Sequence, residues 1–134
     1  MHLSFKSFSR RGFTLVEIMI VVAIIALLAS IAVPNFLRAR KRSQATRIME
    51  DLRQLDSAND EYAMENNKTS GMTPSFTDLK TYLKTGTVLY NTGADLFGDS
   101  YGPFTVDSVI HLPTAAFNDL SDVAPISFWS PYYY

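Results

Sequence analysis

The sequence predicts an α+β fold: a long amino-terminal α-helix, transmembrane in its first half and amphipathic in its second, packed on a small antiparallel β-sheet head. Three observations predict it. Residues 10–34 read RRGFTLVEIMIVVAIIALLASIAVP, an apolar run broken by a single carboxylate, Glu17. Ala45, Ile48, Leu52, Leu55 and Tyr62, with Asn59 at the missing step, then recur at three- and four-residue intervals, which is the spacing of one helix face. Beyond them, residues 88–90, 104–112 and 126–129 are rich in β-branched or aromatic side chains and are separated by Gly, Asn, Asp and Pro, the composition of short strands between turns.

The first element is set by length and by charge. At about 1.5 Å per helical residue, positions 13–33 extend about 31 Å, against roughly 30 Å of bilayer hydrocarbon. The formal net charge of the 134-residue chain is −1, but it is unevenly spread. Lys6, Arg10 and Arg11 precede the apolar run, and Arg38, Arg40, Lys41 and Arg42 follow it. From Ser43 onward 5 basic residues face 12 acidic ones, a net of −7. Phosphate binding needs clustered Lys and Arg, so nucleic acid is not expected as the main partner. The basic cluster at 38–42 lies beside a membrane span, where lipid headgroups are its expected neighbours and the bilayer the expected partner. There is no cysteine, which excludes a disulfide framework, a thiol nucleophile and a thiolate metal site.

A secretory signal would also begin basic and continue apolar. This run is longer than the usual signal core of about 7 to 15 residues, contains an acid, and ends without an A-x-A-like cleavage site. A plain signal anchor leaves Gly12 and Glu17 without a reason. A charge at the bilayer centre costs about 2.5 to 3.5 kcal/mol on insertion scales, so Glu17 calls for a partner.

Gly12 followed by Phe13, Thr14, Leu15, Val16 and Glu17 resembles the type IV prepilin signature, with its short basic leader, Gly-Phe border, acid four residues later, apolar run and proline at Pro34. The resemblance implies a structural subunit of a type II secretion pseudopilus or type IV pilus, and not an enzyme. A prepilin peptidase/N-methyltransferase would cut after Gly12 and methylate the Phe13 amine. Residues 1–12 would be the cleaved leader, 13–37 the transmembrane and assembly helix, 38–66 its amphipathic continuation, and 67–134 the globular head. Other implied partners are further pilin or pseudopilin subunits and an inner-membrane assembly platform. The subunit would sit in the bacterial inner membrane with a cytoplasmic amino terminus and periplasmic head, then pass into a periplasmic or extracellular filament. This orientation comes from the resemblance, because bases flank the span on both sides and the positive-inside rule is neutral here. Glu17 would pair with the Phe13 amine of a neighbouring subunit, since an ammonium and a carboxylate buried together offset each other's desolvation. The other reading of the chain is a membrane-anchored periplasmic binding or sensor domain that never polymerises.

Pro34 has no amide hydrogen for the Ser30 carbonyl, so a helix kink or weakened turn is expected there. The amphipathic helix is expected to end near Asn66 and Asn67, before KTSG. Ser75, Asp78 and Gly86 then frame a capped short helix with Phe76, Leu79 and Leu83 inward. Residues 114–124 fit loop and short helix equally. In residues 91–103, NTGADLFGDSYGP, the positions Asp95, Phe97, Gly98, Asp99 and Tyr101 resemble the D-P-W/F-G-N-P-Y segment of type II secretion major pseudopilins, with Leu96 and Ser100 in the two proline places. Some relatives bind calcium near such a loop, and Asp95 and Asp99 would be its candidate hard-oxygen ligands. The alternative is a turn in which Asp and Gly supply left-handed backbone and side-chain-to-backbone bonds. His111 has no second His or acid in obvious register and is read as structural, and no nucleophile elbow, phosphate loop or zinc spacing appears. The aromatic ISFWSPYYY ending is read as a core strand with edge cover, its exposed rings suited to an interface.

Overall fold

The computed structural model describes residues 11–133; the expected leader lies almost entirely outside the described residues. Contacts divide the chain into a unit up to Leu37 and a unit from Arg38. One helix, α1 (Leu15–Glu65), contributes to both and includes Pro34. In the first unit it is long and apolar enough to cross a membrane, with Leu15, Ile25, Leu27 and Ile31 all exposed on the isolated chain.

In the second unit α1 presents the stripe expected from its spacing. Ala45, Ile48, Leu52, Leu55 and Asn59 are buried, and Met49 and Ala58 join them. The helix stops where expected, and the backbone explains how. Asn67 takes φ 48°, the Lys68 amide donates to the Ala63 carbonyl at 2.9 Å and the Asn67 amide to Met64 at 3.5 Å. This is a Schellman closure with Asn in the left-handed position usually held by Gly.

The head differs from expectation. Among the described residues there is no β-strand, only an isolated antiparallel bridge between Ala94 and Ser100, so the antiparallel sheet head is replaced by short helices and irregular chain. Residues 88–90 belong to a helix, α3 (Val88–Thr92), because Thr87 caps it by accepting from the Tyr90 amide at 3.1 Å and Gly93 ends it at φ 65°. Residues 126–129 form a 3₁₀ turn, Ile126–Phe128, running into Trp129. Residues 104–112 are irregular chain with a turn at Asp107, φ 61°. Their backbone finds partners singly: Val106 exchanges bonds with Met72 and Gly71, and the Leu112 amide donates to Tyr132. Three separate pairings of this kind satisfy buried amides without a ladder.

The remaining elements follow their local signals. Ser75 and Asp78 form the expected capping box of α2 (Phe76–Leu79), which tightens into a 3₁₀ turn over Lys80–Tyr82. The Ser75 hydroxyl and amide hydrogen bonds hold the Asp78 carboxyl below its usual range. Residues 114–120 resolve as a helix, α4 (Thr114–Leu120), burying Ala116 and Leu120. Trp129 is fully buried and its indole N–H donates to the Ala124 carbonyl at 3.1 Å. Tyr132 is buried, and Tyr133 stacks on Phe117 with ring centroids 4.2 Å apart. The carboxy-terminal aromatics therefore fill the core of this unit from turns instead of a strand.

Gly93 is the glycine this packing cannot replace. A Cβ there would lie 2.9 Å from Phe76 Cδ1 in addition to the left-handed backbone. Gly93→Ala is expected to cost about 2 kcal/mol from backbone strain and ring displacement. Thermal melts should fall by about 10 °C. An unchanged melting temperature would show that Phe76 has room to yield.

Candidate functional site

The amino-terminal site begins with two exposed residues outside the helix. Gly12 and Phe13 are in non-helical chain, Phe13 is 86% exposed, and α1 starts two residues later. What starts the helix there is Thr14. Its hydroxyl accepts from the Glu17 amide at 3.2 Å, and Glu17 Oε2 accepts from the Thr14 amide at 3.0 Å. This reciprocal arrangement is a capping box, with Glu17 as its third helical residue and its carboxylate at the positive end of the helix dipole. Sequence reasoning took Glu17 only as a charge; the T-x-x-E spacing from Thr14 carried the cap as well.

Beyond Glu17 the next charged residue is Arg38, so twenty uncharged residues separate them. At the standard rise the two lie about 32 Å apart along the axis, close to one bilayer of hydrocarbon. Pro34 falls within this stretch. Ser30, whose carbonyl would have received the missing Pro34 amide, instead turns its hydroxyl onto the Leu27 carbonyl at 2.6 Å. A lost ladder bond and a serine back-bond in one turn both loosen a helix.

The second candidate, the loop after Gly93, is in the other unit. Asp95 is buried, and its Oδ1 accepts from the amides of Phe97 at 2.8 Å and Asp99 at 2.9 Å. The Asp95 amide donates to the Asp99 carbonyl at 2.9 Å, and Gly98, at φ 94°, donates back to the Asp95 carbonyl. These are the bonds of the turn reading. A calcium shell needs about six to eight oxygens. Asp95 Oδ2 is buried without a hydrogen-bond partner, but among the described residues no group of three or more acids or histidines could hold a metal. The donors brought together here close a turn. Asp95→Ala would strand the two amides, and we expect a loss of about 2 kcal/mol read as a lower melting temperature.

The loop is tied to α1 through Tyr101, whose hydroxyl donates to Asp51 Oδ2 at 3.4 Å. Burial holds the Asp51 carboxyl above its ordinary range, opposed by Arg47 and the Tyr101 bond and reinforced by the charges of Asp95 and Glu50. Burial also pushes the Tyr101 hydroxyl up, with Asp51 and Asp95 adding to it. Asp51 thus keeps its proton to higher pH when folded than when unfolded. Its contribution favours the folded state at low pH and turns against it as pH rises through the folded value. Asp51→Asn keeps an acceptor for Tyr101 and removes the charge. It should melt higher than the parent at pH 7, with the difference shrinking toward pH 4; equal melting at pH 7 would sink this reading. His111 is exposed on residues 104–112.

Comparison with known proteins points to the same amino-terminal segment. The family described as the prokaryotic N-terminal methylation motif matches residues 7–33. The chain is 39% identical over 63 residues to type II secretion system core protein G of Pectobacterium carotovorum subsp. carotovorum, covering 47% of this chain and 40% of that one. It is 45% identical over 60 residues to the type IV major pilin protein PilA of Myxococcus xanthus, covering 45% of this chain and 27% of that one. With the type IV wide pilus major component PilA4 of Thermus thermophilus it shares 44% identity over 57 residues, covering 42% of this chain and 44% of that one. The chain thus spans less than half the length of these curated relatives. No solved structure matches it. Over its amino-terminal segment the chain matches the prokaryotic N-terminal methylation motif and is similar to type II secretion system core protein G and to type IV major pilins.

Proposed function

We propose that this chain is a structural subunit of a type II secretion pseudopilus or a type IV pilus. It enters the bacterial inner membrane as a precursor, single-pass, with a cytoplasmic amino terminus and a periplasmic head. A prepilin peptidase/N-methyltransferase cuts after Gly12 and methylates Phe13. The subunit then joins other pilin or pseudopilin subunits through its hydrophobic helix, with an inner-membrane assembly platform, in a periplasmic or extracellular filament. Its role is mechanical and not catalytic.

The observation that carries this reading is the order of parts at one end of α1. An exposed, non-helical Gly12-Phe13 bond precedes a capped helix whose twenty residues after Glu17 are uncharged. A scissile bond must be extended to enter a peptidase, and an apolar helix with an exposed surface on every side needs lipid or like helices around it. Pro34 and Ser30 mark where that helix yields when its surroundings change from lipid to neighbouring helices. Mass spectrometry of the amino terminus, on protein recovered from membranes of a cell that makes the processing enzyme, tests the proposal. A chain beginning at N-methylated Phe13 supports it. A chain retaining its leader overturns it in favour of a membrane-anchored binding or sensor domain.

A further inference from the structure

α1 leaves its uncharged stretch into four bases within five residues, Arg38, Arg40, Lys41 and Arg42. They are not equivalent. Lys41 is directed to the head, where its ammonium donates to both carboxylate oxygens of Asp122 at 3.0 Å. Arg38, Arg40 and Arg42 are exposed, and among the described residues none has an ion-pair partner. Nor can α1 supply one locally. No acid occurs between Glu17 and Glu50, so neither the third nor the fourth residue on either side of each arginine is acidic.

At about 100° per residue, Arg38 and Arg42 share one side of the helix and Arg40 lies roughly opposite, while Lys41 falls on the side of the Ala45–Ile48–Leu52 stripe. The arginines therefore encircle the helix within about one turn, except where Lys41 meets the head. A single protein neighbour would engage one side. A surface that surrounds the helix, carries negative charge and begins where about 30 Å of hydrocarbon ends is a leaflet of anionic headgroups.

We propose that Arg38, Arg40 and Arg42 form a collar that binds anionic phospholipid headgroups at the leaflet where α1 emerges. The inference rests on the membrane-spanning part of the reading above. Guanidinium forks match phosphate oxygens in two-point contact, which a lysine cannot. The collar has a further consequence for the cleaved subunit. Removing residues 1–12 takes away Lys6, Arg10 and Arg11, so every juxtamembrane basic side chain left is at 38–42. The electrostatic attraction of the processed subunit to anionic lipid then comes from the leaflet on the head side alone, in addition to the hydrophobic anchoring of its apolar helix.

The test uses the full chain reconstituted in phosphatidylcholine vesicles, with spin-labelled phosphatidylglycerol or spin-labelled phosphatidylcholine reporting the lipids immobilised around it. The parent should select phosphatidylglycerol several-fold, less at high salt. Each arginine near an anionic surface contributes up to about a fivefold preference, so R38Q/R40Q/R42Q, made in a K6Q/R10Q/R11Q chain whose leader carries no base, should bring selectivity below about twofold. The triple Arg→Lys variant should retain part of it, and K41Q/D122N, which removes both charges of the pair and leaves the local net charge as it was, should leave it unchanged. Parental selectivity in the triple Gln variant overturns the collar, as does a triple Gln variant that loses only cross-linking between copies of the chain. Flotation with the vesicles separates the two readings: a chain that fails to co-float sinks the membrane span and the collar with it, whereas a co-floating chain without lipid preference sinks the collar alone.

Discussion

Gly12→Trp should leave the precursor uncut, with cleavage slowed by about 100-fold or more, the order of loss that small misplacements at a reacting bond produce. The folded chain does not itself need a glycine at position 12. Nothing lies within 4 Å of a Cβ built at Gly12, its backbone is not in the left-handed region, and α1 begins three residues later at Leu15. The chain itself therefore tolerates a side chain there. The variant should keep the parent melting temperature and still enter the membrane. Any demand for glycine must come from the enzyme that closes around the Gly12-Phe13 bond, where backbone has to approach backbone. A pulse-chase gel reads the result as a precursor band that does not shift, beside a parent that does. Processing at the parental rate would remove the peptidase from the account of this chain. If the leader stays, Lys6, Arg10 and Arg11 stay with it and Phe13 never offers an amine, so assembly should fail as well.

How much of this was legible in the sequence depends on whether the deciding interaction was local. The stripe from Ala45 to Asn59, the helix end at Asn66 and Asn67, and the Ser75–Asp78 box are set by neighbours three to six residues apart, and all were readable. The sheet was not there to be read. Residues 88–90 look like a strand by composition, but Thr87 before them and Gly93 after them supply a helix cap and a helix stop, and those local bonds outweigh a weak strand preference. Residues 104–112 are strand-like in side chains but turn at Asp107, and their amides pair with chain from Gly71, Met72 and Tyr132. The Thr14 cap on Glu17 was legible and overlooked, because a carboxylate in an apolar run draws attention to charge before hydrogen bonding. Lys41 with Asp122 and Tyr101 with Asp51 lie 81 and 50 positions apart, and no periodicity reveals such pairs.

Glu17→Gln should be processed normally and yet fail to build filaments. Glu17→Ala, which removes the cap together with the charge, should give the same two results, but it cannot say which of them mattered. The glutamine can. Its side-chain oxygen still accepts from the Thr14 amide, and Gln is the other residue that serves in a capping box, so the start of α1 survives. What it lacks is the negative charge. In the single chain that charge has enough support: the Thr14 amide and the helix dipole both stabilise it. In a filament the Phe13 amine of the next subunit would be carried into apolar surroundings, where an unpaired ammonium costs several kcal/mol and a carboxylate beside it restores most of that. The amide of Gln offers a dipole in place of that charge. Thr14→Ala is the reciprocal variant: it removes the cap, at about 1 kcal/mol to the helix start, and leaves the charge, so it should assemble. Electron microscopy of sheared filaments, with mass spectrometry of the mature amino terminus as the control for processing, reads all three variants. Filaments from Glu17→Gln together with none from Thr14→Ala would reverse the assignment and make the cap, not the pairing, the reason for the carboxylate. The expected opposite pattern makes Glu17 a residue with two successive partners, its own Thr14 before assembly and a neighbour's Phe13 amine after it.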